Sequence, residues 1–161
     1  MIGVLCTSYP HGPDDPAGSF VQARVQELVA AGHEVEVIAA GETGKKEDGP
    51  VRVLRIAGAG AAEIFYAGGA PEVLESGSPE ARAAAWLEAA HFTARMMALV
   101  AERAAGWSAV ESHWLLPSAL VACAAAPHLS LRAHAHGGDV FLLARLPGGA
   151  SLARFICRSR T

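Results

Sequence analysis

Residues 2–40 read IGVLCTSYPHGPDDPAGSFVQARVQELVAAGHEVEVIAA, and this stretch decides the fold class. The apolar run Ile2 to Thr7 predicts a buried strand, and the loop from Ser8 to Gly18, with three prolines, is too rich in proline for helix or strand. Ser19 is predicted to be an N-cap, and the apolar side chains after it recur at helical spacing, which predicts a helix. Glu34 to Ala39 alternates as EVEVIA, which predicts a second strand. A strand, a helix and a second strand in this order are typical of a parallel sheet.

Strands and helices continue to alternate along the rest of the chain. Beyond residue 40 the sequence predicts, in order, a polar turn (Gly41 to Pro50), a strand (Val51 to Ile56), an irregular stretch (Ala57 to Ser78), a long helix (Pro79 to about Ala105), a strand (Ala109 to Trp114), a short helix (Pro117 to Ala126), a strand (Leu129 to Ala135), a helix (Val140 to about Arg145), and a helical turn leading into a sixth strand (Leu152 to Arg158). The 161 residues fit one domain, 1–161, of the α/β class, with a parallel sheet, helices on both faces and right-handed crossovers. On the long helix, Trp86, Met96 and Met97 are expected in the core.

Composition and charge exclude several classes of protein. Thirteen Lys+Arg against sixteen Asp+Glu leave a net charge of −3, so no basic field supports nucleic-acid binding. The hydrophobic fraction of 52% is far from that of a disordered chain. The longest apolar-rich stretch, Leu115 to Ala126, is too short to span a bilayer, and no signal peptide is evident. Three cysteines without CxxC spacing predict a reduced, cytoplasmic protein, with Cys6 and Cys157 in core strands.

Three segments are predicted to project where ligands bind to a parallel sheet, outside the carboxyl ends of the strands. They are Ser8 to Gly18, His113 to Pro117 and His136 to Asp139. The first contains neither the dinucleotide nor the P-loop glycine fingerprint. Gly18 nevertheless lies directly before a helix N-terminus, where free amides and the helix dipole favour a phosphate. The alternative is that Gly18 and Ser19 form only a permissive turn and an N-cap.

Histidines lie at the predicted ends of the fourth and fifth strands, namely His113, His134 and His136. The side chain of His136, in a loop, could donate a hydrogen bond to a sugar hydroxyl or phosphate, or act as an acid or base. Gly137–Gly138 would let backbone amides approach a ligand closely. Asp139 is predicted to act as the N-cap of the following helix rather than in catalysis.

A metal site is a rival interpretation of these histidines. The ligands would be His113, His134 and His136, together with Asp139 or His11. Imidazole and carboxylate groups are suitable ligands for zinc, but no specific metal-binding motif is present. This alternative predicts a metal-dependent, hydrolase-like α/β domain.

Four stretches, in order, resemble the motifs of one enzyme family. They are AAGHEVEVIAA (30–40), AVESHWLLPSALVA (109–122), LRAHAHGGDVFLL (131–143) and LARFICRSR (152–160). In this order and spacing they resemble the N-terminal domain of family 4 retaining glycosyltransferases, which have the GT-B fold. The resemblance covers nearly all of the chain. It implies a Rossmann-like domain that is one half of a GT-B enzyme.

The resemblance also implies a division of labour between two facing domains. The N-terminal domain mainly holds the acceptor, and the C-terminal domain mainly holds a UDP- or GDP-linked sugar, with no bound metal and no resident cofactor. By this resemblance the amides of Gly18, Gly137 and Gly138 lie near the donor phosphates and sugar, and His136 is the catalytic residue beside the transferred sugar. The positions expected to line the cleft or to meet the acceptor are His11, Phe65, Tyr66, His113 and Trp114.

The implied partners are a nucleotide-sugar donor, a sugar, lipid or small-molecule acceptor, and a C-terminal donor-binding domain or subunit, with contact to a membrane surface and none to nucleic acid. The sequence ends at Thr161 and does not include that second domain. We therefore expect the isolated chain to be inactive. The alternative function is a non-catalytic half-domain that binds an acceptor or a separate C-terminal subunit.

Overall fold

A computed structural model of the chain describes residues 1–42, 44–56, 64, 74 and 77–158, with the backbone alone at 44–48. Within these residues, six strands form a single sheet. The strands are β1 (Ile2–Leu5), β2 (Val35–Ala40), β3 (Gly44–Asp48), β4 (Val51–Ile56), β5 (Ala109–His113) and β6 (Ser130–His134). Their order in the sheet is β3-β4-β2-β1-β5-β6. All neighbours pair in parallel except β3 and β4, so the predicted Rossmann-like α/β fold is confirmed.

Helices connect the parallel strands and cover both faces of the sheet. They are α1 (Ser19–Ala30), α2 (Pro79–Arg103), α3 (Leu120–Ala125), α4 (Gly138–Arg145) and α5 (Gly149–Arg158), with short helical turns at Ala104–Gly106 and Leu115–Ala119. Ser78 caps α2, because its hydroxyl accepts a hydrogen bond from the amide of Ala81. Among the described residues, no helix combines the length and the apolar character needed to cross a membrane.

The core has two layers, one on each face of the sheet. Alternate residues of a strand point to opposite faces, so Val4 and Leu5 of β1 belong to different layers. The layer beneath α1 contains Val4, Val21, Val25 and Val37. The layer beneath α2 contains Leu5, Ile38, Phe92, Met96 and Val100. Since both faces are covered, β1 and β2 are buried along their whole length.

The segment predicted as a polar turn forms an additional strand instead. Within Gly41 to Pro50, residues Gly44–Asp48 pair antiparallel with β4 at the edge of the sheet. The sequence GKKED has little apolar character, which is why its pattern suggested a turn. An edge strand pairs through its backbone and tolerates charged side chains, so hydrophobic alternation is not needed there.

The predicted sixth strand at Leu152 to Arg158 is wrong, since these residues belong to α5. Leu152, Phe155 and Ile156 are spaced three and four apart, which is the helical period. Ile156 is buried against α3. Cys157 is consequently exposed on a helix rather than placed in a core strand, whereas Cys6 is buried as predicted.

A fully buried carboxylate connects β2 to its neighbours. Glu36 accepts hydrogen bonds from Arg103 at 2.7 and 3.0 Å and from Arg52 at 3.0 Å. It also accepts one from the indole nitrogen of Trp107 at 3.0 Å. Burial alone would raise the pKa of Glu36, but these hydrogen bonds outweigh burial and hold that pKa below its usual range.

Candidate functional site

A cleft of about 1050 Å³ opens at the carboxyl ends of the parallel strands. The loops that follow β1, β5 and β6 line it together with residues of α1, α2, α3, α4 and α5. The strand order reverses between β1 and β5, and this crevice is where parallel α/β sheets bind ligands. The polar residues of the lining are Thr7, Ser8, Thr93, His136 and Asp139. Its larger apolar residues are Phe20, Trp86, Met97, Trp114, Leu116, Leu120, Leu142, Leu146 and Leu152.

Gly18 lines the cleft and forms the N-cap of α1. Its φ of +75° lies in the left-handed region, and a Cβ at this position would overlap the carbonyl oxygen of the buried Ser8. Only glycine satisfies both conditions. The predicted N-cap at Ser19 is therefore wrong, because Ser19 is already the first helical residue.

The N-terminus of α1 carries no side-chain cap and no acidic residue in its first turn. The amides of Ser19 and Val21 donate to the backbone carbonyls of Pro16 at 3.2 Å and Gly18 at 2.9 Å. No side chain of the described residues caps the positive end of the helix dipole. Such an end favours an anion.

His113 is the buried centre of the histidine group, with an exposed fraction of 3%. It ends β5 and pairs with His134 across to β6, so their rings stack at 4.7 Å with an interplanar angle of 8°. The ring of His136 stacks on the same imidazole at 5.3 Å and 15°. Nδ1 of His113 lies 3.1 Å from Nε2 of His136, which is a hydrogen-bond distance between two ring nitrogens. One proton between these nitrogens joins the two side chains.

Burial keeps two of these imidazoles neutral at pH 7. It lowers the pKa of His113 to about 4, with further lowering by the neighbouring His134 and His136. Burial also lowers the pKa of His136, although Asp139 opposes the shift. Both rings therefore have the lone pair and the proton of a neutral imidazole.

Two aromatic side chains fix the His136 ring from the cleft side. Phe20, in the first turn of α1, lies 4.7 Å from that ring between centroids, and Trp114 lies 5.0 Å from it. Trp114 has a φ of +71°, which is rare for a residue with a bulky side chain. Its amide donates to the carbonyl of His134 at 2.8 Å, which holds this backbone in place. The aromatic contacts bring the N-terminus of α1 and the His136 turn together.

Asp139 joins the loop after β5 to the turn after β6. Its buried carboxylate accepts hydrogen bonds from the amides of His136 and Val140, each at 3.0 Å, and from the amide of Leu115. The predicted N-cap role is wrong, because the N-cap of α4 is Gly137 and Asp139 lies within the first turn. Asp139 instead binds the turn after β6 to the loop after β5.

The two glycines of the turn differ in their surroundings. Gly137 has a φ of +76°, and a Cβ there would meet nothing within 4 Å, so its backbone conformation rather than crowding favours glycine. Gly138 lines the cleft, and its amide donates to the carbonyl of His136 at 2.9 Å. Gly137 therefore shapes the turn, and Gly138 presents backbone to the cleft.

Some of the predicted positions lie elsewhere. His11 is exposed and lies beside Gly41, at the end of β2, and it is not among the residues that line the cleft. Phe65 and Tyr66 lie outside the described residues. His113 is enclosed beneath His136 and does not line the cleft itself.

Sequence reasoning missed the contribution of α2. Trp86 and Met97 were expected in the core, but they are 40% and 36% exposed and line the cleft. Met96, the neighbour on the other side of the helix, is fully buried as expected. The pattern that would have found this wall is the apolar and small-residue spacing Trp86, Ala89, Ala90, Thr93, Ala94 and Met97, which marks one helical face.

The structure also changes the set of candidate metal ligands. Ligand atoms of His113 and His134 approach that of Glu111, all within 4.8 Å of one another. Asp139 instead accepts hydrogen bonds from three backbone amides, and His11 lies beside Gly41. The described residues thus gather two imidazoles with a carboxylate that the sequence patterns did not indicate.

No protein-family model and no curated protein matches this chain. Neither comparison therefore supports the family resemblance of the sequence motifs.

Proposed function

We propose that this chain is the acceptor-side half of a retaining glycosyltransferase with the GT-B fold, and that it acts on a UDP- or GDP-linked sugar. The proposal rests on one observation above all. Phe20, in the first turn of α1, lies 4.7 Å from the ring of His136, so an uncapped helix N-terminus lies beside a neutral histidine in one cleft. An anion-binding end next to a hydrogen-bonding imidazole suits a phosphate attached to a sugar.

The leaving phosphate would face the first amides of α1. Negative charge develops on that phosphate as the glycosidic bond breaks, and the amides and the helix dipole stabilise it without reorganisation. Gly18 allows the chain to enter the helix at this edge of the cleft, because its left-handed φ and its contact with Ser8 leave no room for a side chain. The backbone of Gly138 also lines the cleft, next to His136 in the turn after β6, and would face the donor there.

His136 would bind the transferred sugar through a hydroxyl group. Because this imidazole is neutral, it donates or accepts a hydrogen bond without placing a full positive charge beside an oxocarbenium-like centre. The acceptor hydroxyl would attack the anomeric carbon from the face that the phosphate leaves and would give its proton to the departing phosphate, so the anomeric configuration is retained. The acceptor would lie along the apolar wall formed by α2, α4 and α5.

A second domain or subunit would complete the site. Large apolar side chains are exposed in the first turns of α1 and α4, namely Phe20, Val140 and Phe141. An exposed apolar patch at the rim of a cleft is typical of a surface that meets a partner. This observation also favours the second candidate function, a non-catalytic half-domain that binds such a partner.

The test is transfer by this chain together with its C-terminal donor-binding half. With UDP- and GDP-sugars as donors, we expect a product with retained anomeric configuration by NMR, and negligible transfer from this chain alone. His136→Ala should lower kcat by about 100-fold or more while the melting temperature changes little. The exposed His128→Ala is the matched control and should leave kcat unchanged. Near-normal turnover in His136→Ala would contradict the proposal, and binding of the C-terminal half without any transfer would favour the non-catalytic half-domain.

A further inference from the structure

We propose that Glu111, His113 and His134 form a binding site for a divalent transition-metal ion of the zinc type. The site lies on β5 and β6, beneath the His136 turn. It does not depend on the proposed transferase function, because none of the three residues lines the cleft.

The sheet itself brings the three side chains together. Glu111 and His113 are two residues apart on β5 and therefore point to the same face. His134 lies directly opposite His113 on β6. Candidate ligand atoms of all three lie within 4.8 Å of one another, and Oε2 of Glu111 is 3.5 Å from Nε2 of His134. Two ligands of one tetrahedral zinc, each about 2.0–2.1 Å from the metal, are separated by about 3.4 Å.

Two buried nitrogens at this place lack partners. Nε2 of His113 and Nε2 of His134 are both shielded from solvent, and neither makes a hydrogen bond with any described residue. A buried polar atom without a hydrogen-bond partner destabilises the folded chain. Since His113 is 97% buried, water reaches its ring poorly. One cation bound by both nitrogens would remove both deficits, which no hydrogen bond within the cluster does.

The groups around the three ligands already orient them. Metal-bound histidines usually engage the second ring nitrogen in a hydrogen bond, and Nδ1 of His113 meets Nε2 of His136 at 3.1 Å. Both oxygens of Glu111 accept from Arg24, at 2.7 and 3.0 Å, which fixes the carboxylate plane.

The ligand set indicates which ions fit. Two imidazoles and one carboxylate suit Zn²⁺, Co²⁺ and Ni²⁺, whereas Mg²⁺ and Ca²⁺ prefer oxygen ligands throughout. Three protein ligands leave one tetrahedral position for water. The bound ion would join the ends of β5 and β6.

Neighbouring arginines oppose the ion and give the proposal a sharp test. The charge of Arg24 is partly balanced by Glu27 at 2.8 Å. Arg132 lies 3.3 Å from Glu111 and its side chain is 66% exposed. It is not needed to position the carboxylate, because Arg24 already donates to both of its oxygens. Its positive charge repels a cation at this site. Arg132→Gln should therefore bind metal several-fold more tightly than the wild type, an effect that a non-specific surface site would not show.

The experiment is a titration of the full chain with Co²⁺, followed by its visible absorption, and with Zn²⁺ by calorimetry. The background should be Cys157→Ser, because this exposed thiol could bind metal by itself. We expect one ion per chain, with the affinity reduced at least 10-fold in His134→Gln and in His113→Asn, and unchanged in His128→Gln. The side chain of His134 is 34% exposed, so its substitution leaves the fold intact even if His113→Asn does not.

Three outcomes would overturn the proposal. They are the absence of one-to-one binding in the wild type, equal affinity of His134→Gln and wild type, and weaker binding by Arg132→Gln. A shift of the melting temperature by Zn²⁺ provides a second reading of the same equilibrium, since an ion that binds only the folded state raises it. This shift should disappear in His134→Gln and persist in His128→Gln.

Discussion

At position 18 the backbone conformation and the surrounding atoms both require glycine. The left-handed φ and the contact with Ser8 each exclude a side chain. We expect Gly18→Ala to lower the free energy of unfolding by about 2–4 kcal/mol, since it combines backbone strain with overpacking. Urea unfolding measures this change. Gly12→Ala, in the same loop but with open space around it, is the control and should cost little. An equal cost at both positions would contradict the explanation.

Gly3 is constrained by a neighbouring side chain rather than by its own backbone conformation. A Cβ at Gly3 would lie 2.5 Å from the ring of Trp107, which is buried. We expect Gly3→Ala to cost about 1–3 kcal/mol of unfolding free energy, because the indole is held by Glu36 and cannot retreat without breaking that hydrogen bond. Urea unfolding measures this cost, and Gly106→Ala, whose Cβ would meet nothing within 4 Å, should be nearly neutral in the same experiment.

At the scale of elements, Glu36 binds three of them together. From β2 it reaches Arg52 on β4 and Arg103 at the end of α2. We expect Glu36→Gln to lower the unfolding free energy by about 2–3 kcal/mol, less than for a fully buried pair because both arginines are one-third exposed. The exposed Glu34→Gln, two residues away, should change it little in urea unfolding.

The same carboxylate predicts a dependence of stability on pH. The pKa of Glu36 is lower in the folded chain than in the unfolded one. Its contribution is therefore fully present above the unfolded pKa, and it is lost as pH falls through the carboxyl range toward the folded pKa. Urea unfolding at pH 7 and at lower pH should show this loss in the wild type. A loss of the same size in Glu36→Gln would assign it to other groups.

The elements also show why some predictions from the sequence succeeded. The strands β1, β2 and β4 and the helices α1 and α2 have apolar residues at a regular period, and the period predicted them. At β3 the pairing is made by the backbone at a sheet edge, so the side-chain pattern carries no signal. At α5 only one apolar residue, Ile156, is deeply buried, and a short run of this kind fits a strand or a helix.

At the scale of the whole molecule, the cleft assembles loops that are more than a hundred residues apart in the sequence. Gly18 follows β1 and His136 follows β6, and the sheet order brings them to one edge. Among the described residues that line this cleft there is neither lysine nor arginine. A nucleoside diphosphate therefore meets amides and a helix end but no cationic side chain.

We consequently expect weak binding of the donor nucleotide to the isolated chain. Calorimetric titration with UDP and with GDP should give a Kd weaker than about 1 mM, and binding should tighten once the C-terminal half is present. Micromolar binding by the isolated chain would contradict this division of labour and would assign the nucleotide site to this domain.

The sequence alone determined the alternation of strands and helices, the α/β class and the loops in which Gly18 and His136 lie. These follow from local periods and turn residues, which a single stretch of chain contains. Only the tertiary structure decided the burial of Glu36, the pairing of His113 with His136 and the three amides held by Asp139. Each of these depends on residues from different strands or loops meeting across the sheet, and local sequence carries no record of which distant group fills the space beside it.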